Sequence, residues 1–311
     1  MPTNQEIIKK ADMALSDLAI AGRLSPEQTD QFVRTVMDQP TLIQSCRTVA
    51  MNGPEQKINK IGFGSRILRP AVSSTALAAT DRVKPDLGQV LITTKEVIAE
   101  VHLPYDVIED NIERGNITAG AEQGAGGIHQ TIVDMIGERA ALDLEELGIR
   151  GDTASADAYL SLADGWLKKA SANVVNVGGT FTKEAIKAAV KATPDKYLRN
   201  RTSMTHFVSV DNETEMRDQY ATRETVMGDA NIQGNLPLYV FGSQVKGVPM
   251  MPSDSGLFTD PLNLIFAIQR NIQFEYDKDI RSRVFIIVLT ARVGFELEEV
   301  NALTKYTGIT G

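Results

Sequence analysis

A single cysteine, Cys46, stands in the whole chain, so no internal disulfide framework can form, as expected for a reducing compartment. Long hydrophobic runs are missing as well. No apolar stretch approaches the ~18 residues of a membrane span, and the first residues, MPTNQEIIKKADM, lack the apolar core of a secretory signal. The sequence therefore predicts a soluble protein made in a cytoplasm. Positive charge is in deficit: 32 Lys and Arg against 40 Asp and Glu leave a net charge of -8. A surface that grips nucleic acid broadly is normally basic, so contact with DNA is not this surface's main task. Histidine is scarce. His102, His129 and His206 stand far apart, and none has a metal-ligand spacing. Cys46 sits among Gln44, Ser45 and Arg47 without a nucleophile signature, which predicts a buried, bland thiol. Gly124, Gly126 and Gly127 precede a helical pattern, but no Gly-Lys-Ser/Thr follows and the spacing misses the dinucleotide fingerprint. They read as a flexible joint. No catalytic, cofactor-binding or metal-binding residue is nominated.

What is present is periodicity. Over residues 126–150, Ile128, Ile132, Val133, Met135, Ile136, Ala140, Leu144 and Leu147 recur at helical spacing. They draw a stripe down a helix of roughly six turns. Gly148 is placed to close its last turn. Gln130, Asp134, Glu138, Arg139, Asp143, Glu145 and Glu146 read as its solvated face. Toward the C-terminus the period changes to two. Leu262, Leu264, Phe266, Ile268, Ile272, Phe274 and Tyr276 share one face, interrupted only at Arg270. After a turn over 277–282, Phe285, Ile287, Leu289, Ala291, Val293, Phe295 and Leu297 alternate again. Two long antiparallel strands with one buried face need an amphipathic cover, which the central helix supplies.

The remaining segments are weaker. Residues 5–21 and 25–40 predict two short helices, the second starting at Ser25 and Pro26 with Gln28 as capping-box partner. Their apolar faces are too small to stand alone, so they cover either their own domain or a neighbouring subunit. Residues 57–70 and 89–103 read as the arms of a long hairpin with a loose tip between them. An isolated hairpin is marginally stable in water, so it lies on some other surface. Lys57, Lys60, Arg66 and Arg69 on the first arm face Glu96, Glu100, Asp106, Glu109 and Asp110 on and after the second. That segregation fits cross-strand pairing or pairing between subunits. A short helix is expected over 105–116 and a Gly/Ala-rich approach over 118–127. Residues 160–261 form a mixed α/β unit. It has a helix from Thr182 through Val190, strands over 205–210, 238–242 and 245–251, and a helix capped by Asp211 with Glu213 and Glu215 in its first turn.

The order of these pieces resembles the major capsid protein of tailed bacteriophages, an α+β chain with the Hong Kong 97-type fold. Val107-Ile108-Glu109-Asp110 follows the hairpin as in that family, and LEELGIRGD over 144–152 resembles the end of its spine helix. Trp166-Leu167-Lys168, NLIFAIQRNIQFEYDKD over 263–279 and the IIVLTARVGFELEE strand resemble further family segments. The resemblance implies an N-terminal helical arm (1–56), an extended E-loop hairpin (57–104), a P-domain with the spine helix (105–159), an A-domain (160–261) and C-terminal strands returning to the P-domain (262–311). It implies a protein that is no enzyme and needs no cofactor. Copies would form hexamers and pentamers in an icosahedral virion shell assembled in the host cytoplasm. Double-stranded DNA would be held by enclosure, with portal and scaffolding or decoration proteins as partners and no membrane. The founding member crosslinks an E-loop lysine to a neighbour's asparagine. Lys57, Lys60, Lys84 and Lys95 lie in the corresponding region, but no local motif selects one. Fewer than 60 residues precede the hairpin, which implies a separate scaffolding protein or none. Two alternatives stay open: an encapsulin-like nanocompartment that packages proteins, and an enzyme using the 160–261 unit.

Overall fold

The computed structural model describes residues 41–63, 66–68, 78, 80, 82–104, 128–222 and 237–310. The helices expected over 5–21, 25–40 and 105–116, the run 118–127 and most of 71–86 lie outside these residues. So do the side chains at 128–134, 270–274, 276 and 278, among them Ile132, Ile272, Phe274 and Tyr276. The chain runs β1 (Arg47–Ala50), β2 (Glu55–Gly62), β3 (Asp86–Thr93), β4 (Lys95–Pro104) and α1 (Ile128–Arg150). Then come α2 (Trp166–Lys169), β5 (Asn173–Gly179), α3 (Lys183–Ala192), β6 (Thr205–Val208) and α4 (Val210–Ala221). It closes with β7 (Leu238–Val240), β8 (Ser243–Gly247), β9 (Gly256–Thr259), β10 (Leu264–Asp279), β11 (Val284–Leu297) and β12 (Thr304–Ile309). Three sheets result: β1-β10-β11-β4, β5-β12-β9-β6-β8-β7, and the pair β2-β3.

The period-two pattern sets the register of the long strands. Leu264 stands opposite Leu297, Phe266 opposite Phe295 and Ile268 opposite Val293. The register shifts on both sides of Arg270, where the alternation is interrupted. Both faces of the first part of β10 are buried. Leu264 and Phe266 enter the main core, while Ile265 and Ala267 pack with Met51 and Ile92 on the other side.

Helix α1 lies on the main core through Leu144, Leu147 and Ile149, each nearly or fully buried. It does not stop at Gly148 but continues to Arg150. A Cβ at Gly148 would come within 2.7 Å of the Phe295 ring and 3.2 Å of Trp166. This glycine is therefore a point of close packing rather than a cap. Trp166 meets Phe295 edge-on with ring centroids 5.3 Å apart, and its indole N–H donates to the Glu296 carbonyl at 3.1 Å. Burial of the ring and satisfaction of its one donor together fix α2 against β11.

Three further expectations are corrected. The arms read as 57–70 and 89–103 do not form one hairpin. β3 pairs with β2, but at Thr94 the chain changes partner and β4 pairs with β11 from Val293 to Val284. The backbone crosses so closely that a Cβ at Gly294 would sit 2.3 Å from the Thr93 carbonyl oxygen. The final strand does not return with β10 and β11. β12 inserts between the edge strand β5 and β9 of the six-stranded sheet, with Thr304, Tyr306 and Ile309 buried there. The cap of α4 is Ser209, whose hydroxyl accepts from the Asn212 amide at 3.2 Å, and Asp211 and Glu213 occupy the first turn. Strands β1, β5, β9 and β12 are not expected from the sequence. The second core lies between the six-stranded sheet and α3 and α4, around Phe181, Ile186, Met216, Phe258 and Tyr306.

Candidate interaction surfaces

The residues with chemical potential are placed apart and put to local use. His102 lies at the exposed end of β4, 2.6 Å from Glu100. His206 is fully buried in the second core, stacked on Phe258 with centroids 4.1 Å apart, its Nδ1 2.7 Å from the Tyr306 hydroxyl. Burial pushes its pKa down from 6.5 to about 3, so the ring is neutral. The side chain of His129 lies outside the described residues. Cys46 is buried, its Sγ 3.1 Å from the Leu42 carbonyl. Burial first, and then the Glu145 carboxylate, hold its thiol protonated far above the usual range. Among the described residues no group of three or more His, Cys, Asp or Glu side chains could hold a metal ion.

A cleft of about 520 Å³ opens between the β2 strand and the ends of the long strands, lined by Asn59, Lys60, Tyr197, Asp260, Glu298 and Glu299 among others. Its acids are engaged in holding the chain. Asp260 accepts from the Ser203 hydroxyl at 2.7 Å and the Leu262 amide at 3.0 Å. Glu298 pairs with Arg47 at 2.9 Å. Glu299 pairs with Lys60 at 3.3 Å and accepts from the Asn301 side-chain amide at 3.0 Å. Burial works against the Glu299 charge, but the bonds from Asn301 and Lys60 outweigh it and lower the pKa.

Two charges of the expected hairpin arms pair within the subunit with other elements. Lys60 reaches Glu299, and Glu96 reaches Arg292 of β11 at 2.7 Å. Exposed and half-exposed pairs of this kind are worth at most about 1 kcal/mol each.

The β2–β3 pair itself has two unlike faces. Ile58, Val90 and Ile92 turn inward, and Ile92 is fully buried on the Ile265–Ala267 cluster. Ile61 stands opposite Leu87 and Lys57 opposite Leu91 on the outer face, where Ile61 is 72% and Leu87 75% exposed. Phe63, Ile67 and Leu68, just beyond β2, are exposed as well. A two-stranded ribbon gains little stability from such a face in water, and a contiguous apolar patch of this kind marks a place where another surface sits. Smaller apolar exposures occur at Ile98 on the edge strand β4, at Tyr239 on β7 and Phe241 just after it, and at Ile280 in the β10–β11 turn. The sequence reading found the hairpin region but nominated none of these residues. The signal was present in the odd-numbered apolar positions 61, 63, 87 and 91, which fall on the face away from Ile58 and Ile92.

No protein-family model matches the chain. It is 42% identical over 315 aligned residues, 97% of each chain, to YqbE of Bacillus subtilis (strain 168), named as a prophage capsid protein. Among solved structures it resembles the capsid of the native GTA particle, with a TM-score of 0.66 over 96% of this chain and 100% of that one at 17% identity. It resembles equally the satellite phage P4 procapsid that includes the size-determination (Sid) protein, with a TM-score of 0.65 over 99% and 98% at 14% identity.

Proposed function

The chain belongs to the major capsid proteins of tailed phages, with the Hong Kong 97-type fold, and from that premise we propose that its copies assemble into the icosahedral head shell around a double-stranded DNA genome. The observation that carries the reading to particular residues is the outward apolar face of β2–β3. In this reading the ribbon is the E-loop, and Ile61, Phe63, Leu87 and Leu91 lie on a neighbouring copy. Helix α1 with the β1-β10-β11-β4 sheet is the P-domain. The six-stranded sheet with α3 and α4, including β12, is the A-domain. Hexamers and pentamers build the shell, joined in the virion by portal and by scaffolding or decoration proteins, and assembly takes place in the host cytoplasm. With a net charge of -8 the shell encloses DNA rather than gripping it.

The test is to express the full chain alone and image it by negative-stain electron microscopy, beside a variant with Ile61 and Leu87 both replaced by Ser. The expected result is closed shells from the first and soluble, folded subunits from the second. A stable monomer from the unaltered chain across salt conditions would overturn the reading. Shells purified from lysogens with enzyme inside and no DNA would overturn its genome-enclosing half.

A further inference from the structure

Asn52-Gly53 is the sole Asn-Gly pair in the chain, and the fold gives the glycine no ordinary reason to be there. Asn-Gly is favoured where two paired strands turn back through left-handed torsions. Here it joins β1 to β2, which lie in different sheets, β1 on β10 and β2 on β3. Gly53 is not among the glycines with positive φ, and a Cβ placed on it would meet only the Glu55 carbonyl oxygen, at an ordinary 3.8 Å. Asn52 is exposed. Among the described residues no hydrogen bond engages its side chain or the Gly53 N–H.

The residues on either side are tied down. Met51 is buried with Ile92, Ile265 and Ala267, and its N–H donates to the Ile268 carbonyl at 2.9 Å. The Pro54 carbonyl accepts from the Thr94 N–H at 2.9 Å and from the Thr94 hydroxyl at 3.1 Å. Asn52 and Gly53 are thus a short link between two anchors, at the place where the β2–β3 ribbon leaves the four-stranded sheet.

What the glycine supplies is an unhindered amide nitrogen beside an asparagine side chain. Once solvent base has taken its proton, the Gly53 nitrogen attacks Cγ of Asn52. A C–N bond closes a five-membered imide, the Cγ–Nδ2 bond breaks, and ammonia leaves with a proton drawn from water. Water then opens the imide at either carbonyl. One product is aspartate. In the other, isoaspartate, the main chain continues through Cβ and Cγ and is one carbon longer. Both exchange a neutral amide for a carboxylate, and water is the only co-reactant. A side chain at 53 would crowd the attack, and a bond to either group would hold it away. We propose that Asn52 is a self-modifying site, a slow clock that turns a neutral link at the root of the β2–β3 ribbon into an acidic and longer one. Because Met51 and Pro54 are held by the fold, the added charge and length fall on the link and loosen the ribbon.

The test stores the full chain, as purified, at mildly alkaline pH beside Gly53→Ala, Asn52→Gln and a denatured sample of the unaltered protein. Trypsin releases residues 48–57 as one peptide, in which Asn52 is the only asparagine. Mass spectrometry should show a gain of about one mass unit at Asn52, with isoaspartate as a product, while Asn173, Asn176 and Asn301 stay amides. Gly53→Ala should slow the gain about tenfold or more with thermal unfolding unchanged, and Asn52→Gln should show none. The initial rate of trypsin cleavage at Lys57 and Lys60 reads the ribbon. Aged unaltered protein should be cut about threefold faster than fresh, and aged Gly53→Ala at the fresh rate. Conversion confined to the denatured sample, or no faster at Asn52 than at the other three, overturns the site. Conversion without faster cleavage, or equal ageing of Gly53→Ala, overturns the loosening. No step needs a closed shell, so the result is separate from the fate of the shell reading.

Discussion

Replacing His206 by Asn is expected to flatten the acid limb of the subunit's stability curve. In the fold His206 is stacked on Phe258 and bonded through Nδ1 to the Tyr306 hydroxyl, and its Nε2 has no partner among the described residues. A proton there would bury a charge without an acceptor, and burial holds the pKa at about 3 rather than 6.5. Above pH 6.5 the ring is neutral in both the folded and the unfolded chain, so the group adds no pH dependence. As the pH falls below 6.5 the unfolded chain binds a proton that the folded chain refuses, and stability declines until the folded form also protonates near pH 3. The loss from this one ring is on the order of 3 kcal/mol at pH 4.5 and roughly 4 kcal/mol at pH 3. Asparagine offers a polar amide near the position of Nδ1 and does not titrate. Loss of the ring stack adds an offset of about 0.5–1.5 kcal/mol that does not vary with pH. The slope, not the level, is therefore the readout. Urea unfolding of unassembled subunits at pH 7.5, 6.5, 5.5 and 4.5, followed by the fluorescence of the buried Trp166, gives that slope. The two proteins should run parallel above pH 6.5 and diverge by about 1.4 kcal/mol per unit below it. Parallel lines down to pH 4.5 would refute the reasoning, because His206 would then titrate in the fold as it does in water.

Gly148→Ala forces a methyl group against Phe295 and Trp166 and is expected to cost about 1–3 kcal/mol in urea unfolding. Ile136→Asp places a carboxylate beside Leu103, Ile287 and Phe285, and the soluble yield should collapse; a normal yield would mean that this stretch of α1 is open to water. Replacing 71–86 by a short Gly-Ser turn should leave circular dichroism and thermal unfolding unchanged while closed shells disappear. A deficit of ~1 kcal/mol per contact shifts each association step about fivefold and is multiplied around a shell. Binding of the free subunit to DNA should be weak and fall steeply with salt, as read by filter retention at rising ionic strength; tight, salt-insensitive binding would count against a shell that merely encloses.

Elements that bury one face over many residues were legible in the sequence. The alternation through Val284–Leu297 was legible because burial of one face imposes period two, and in Leu264–Asp279, whose first part is buried on both faces, the break at Arg270 coincides with the shift of register. Helix α1 was legible for the same reason at period 3.6. The change of partner at Thr94 was not, because QVLITTKEVIAEVHL alternates without a glycine or proline where the strand passes from one sheet to another. Glu145 was misassigned because a carboxylate buried for its bonds to Thr41 and Leu42 looks, among Asp143 and Glu146, like any solvated acid. Ser209 rather than Asp211 caps α4 for a local reason: both residue types serve, and only the backbone decides where the first helical torsion falls. The apolar outer face of β2–β3 was the least legible. Its meaning depends on knowing which way Ile58 and Ile92 turn.

The position of β12 has a consequence for how the subunit is made. Strand β5 has β12 as its sheet neighbour, with Asn173 opposite Thr304. While the chain emerges from the ribosome, β5 must wait through all of α3, α4 and the long strands before its hydrogen-bonding partner exists. Such late closure over a long sequence separation is slow, and it leaves strand edges open meanwhile. A chain broken off before residue 304 lacks the strand that joins β5 to β9, so a truncated product is a poor competitor for a place among complete ones.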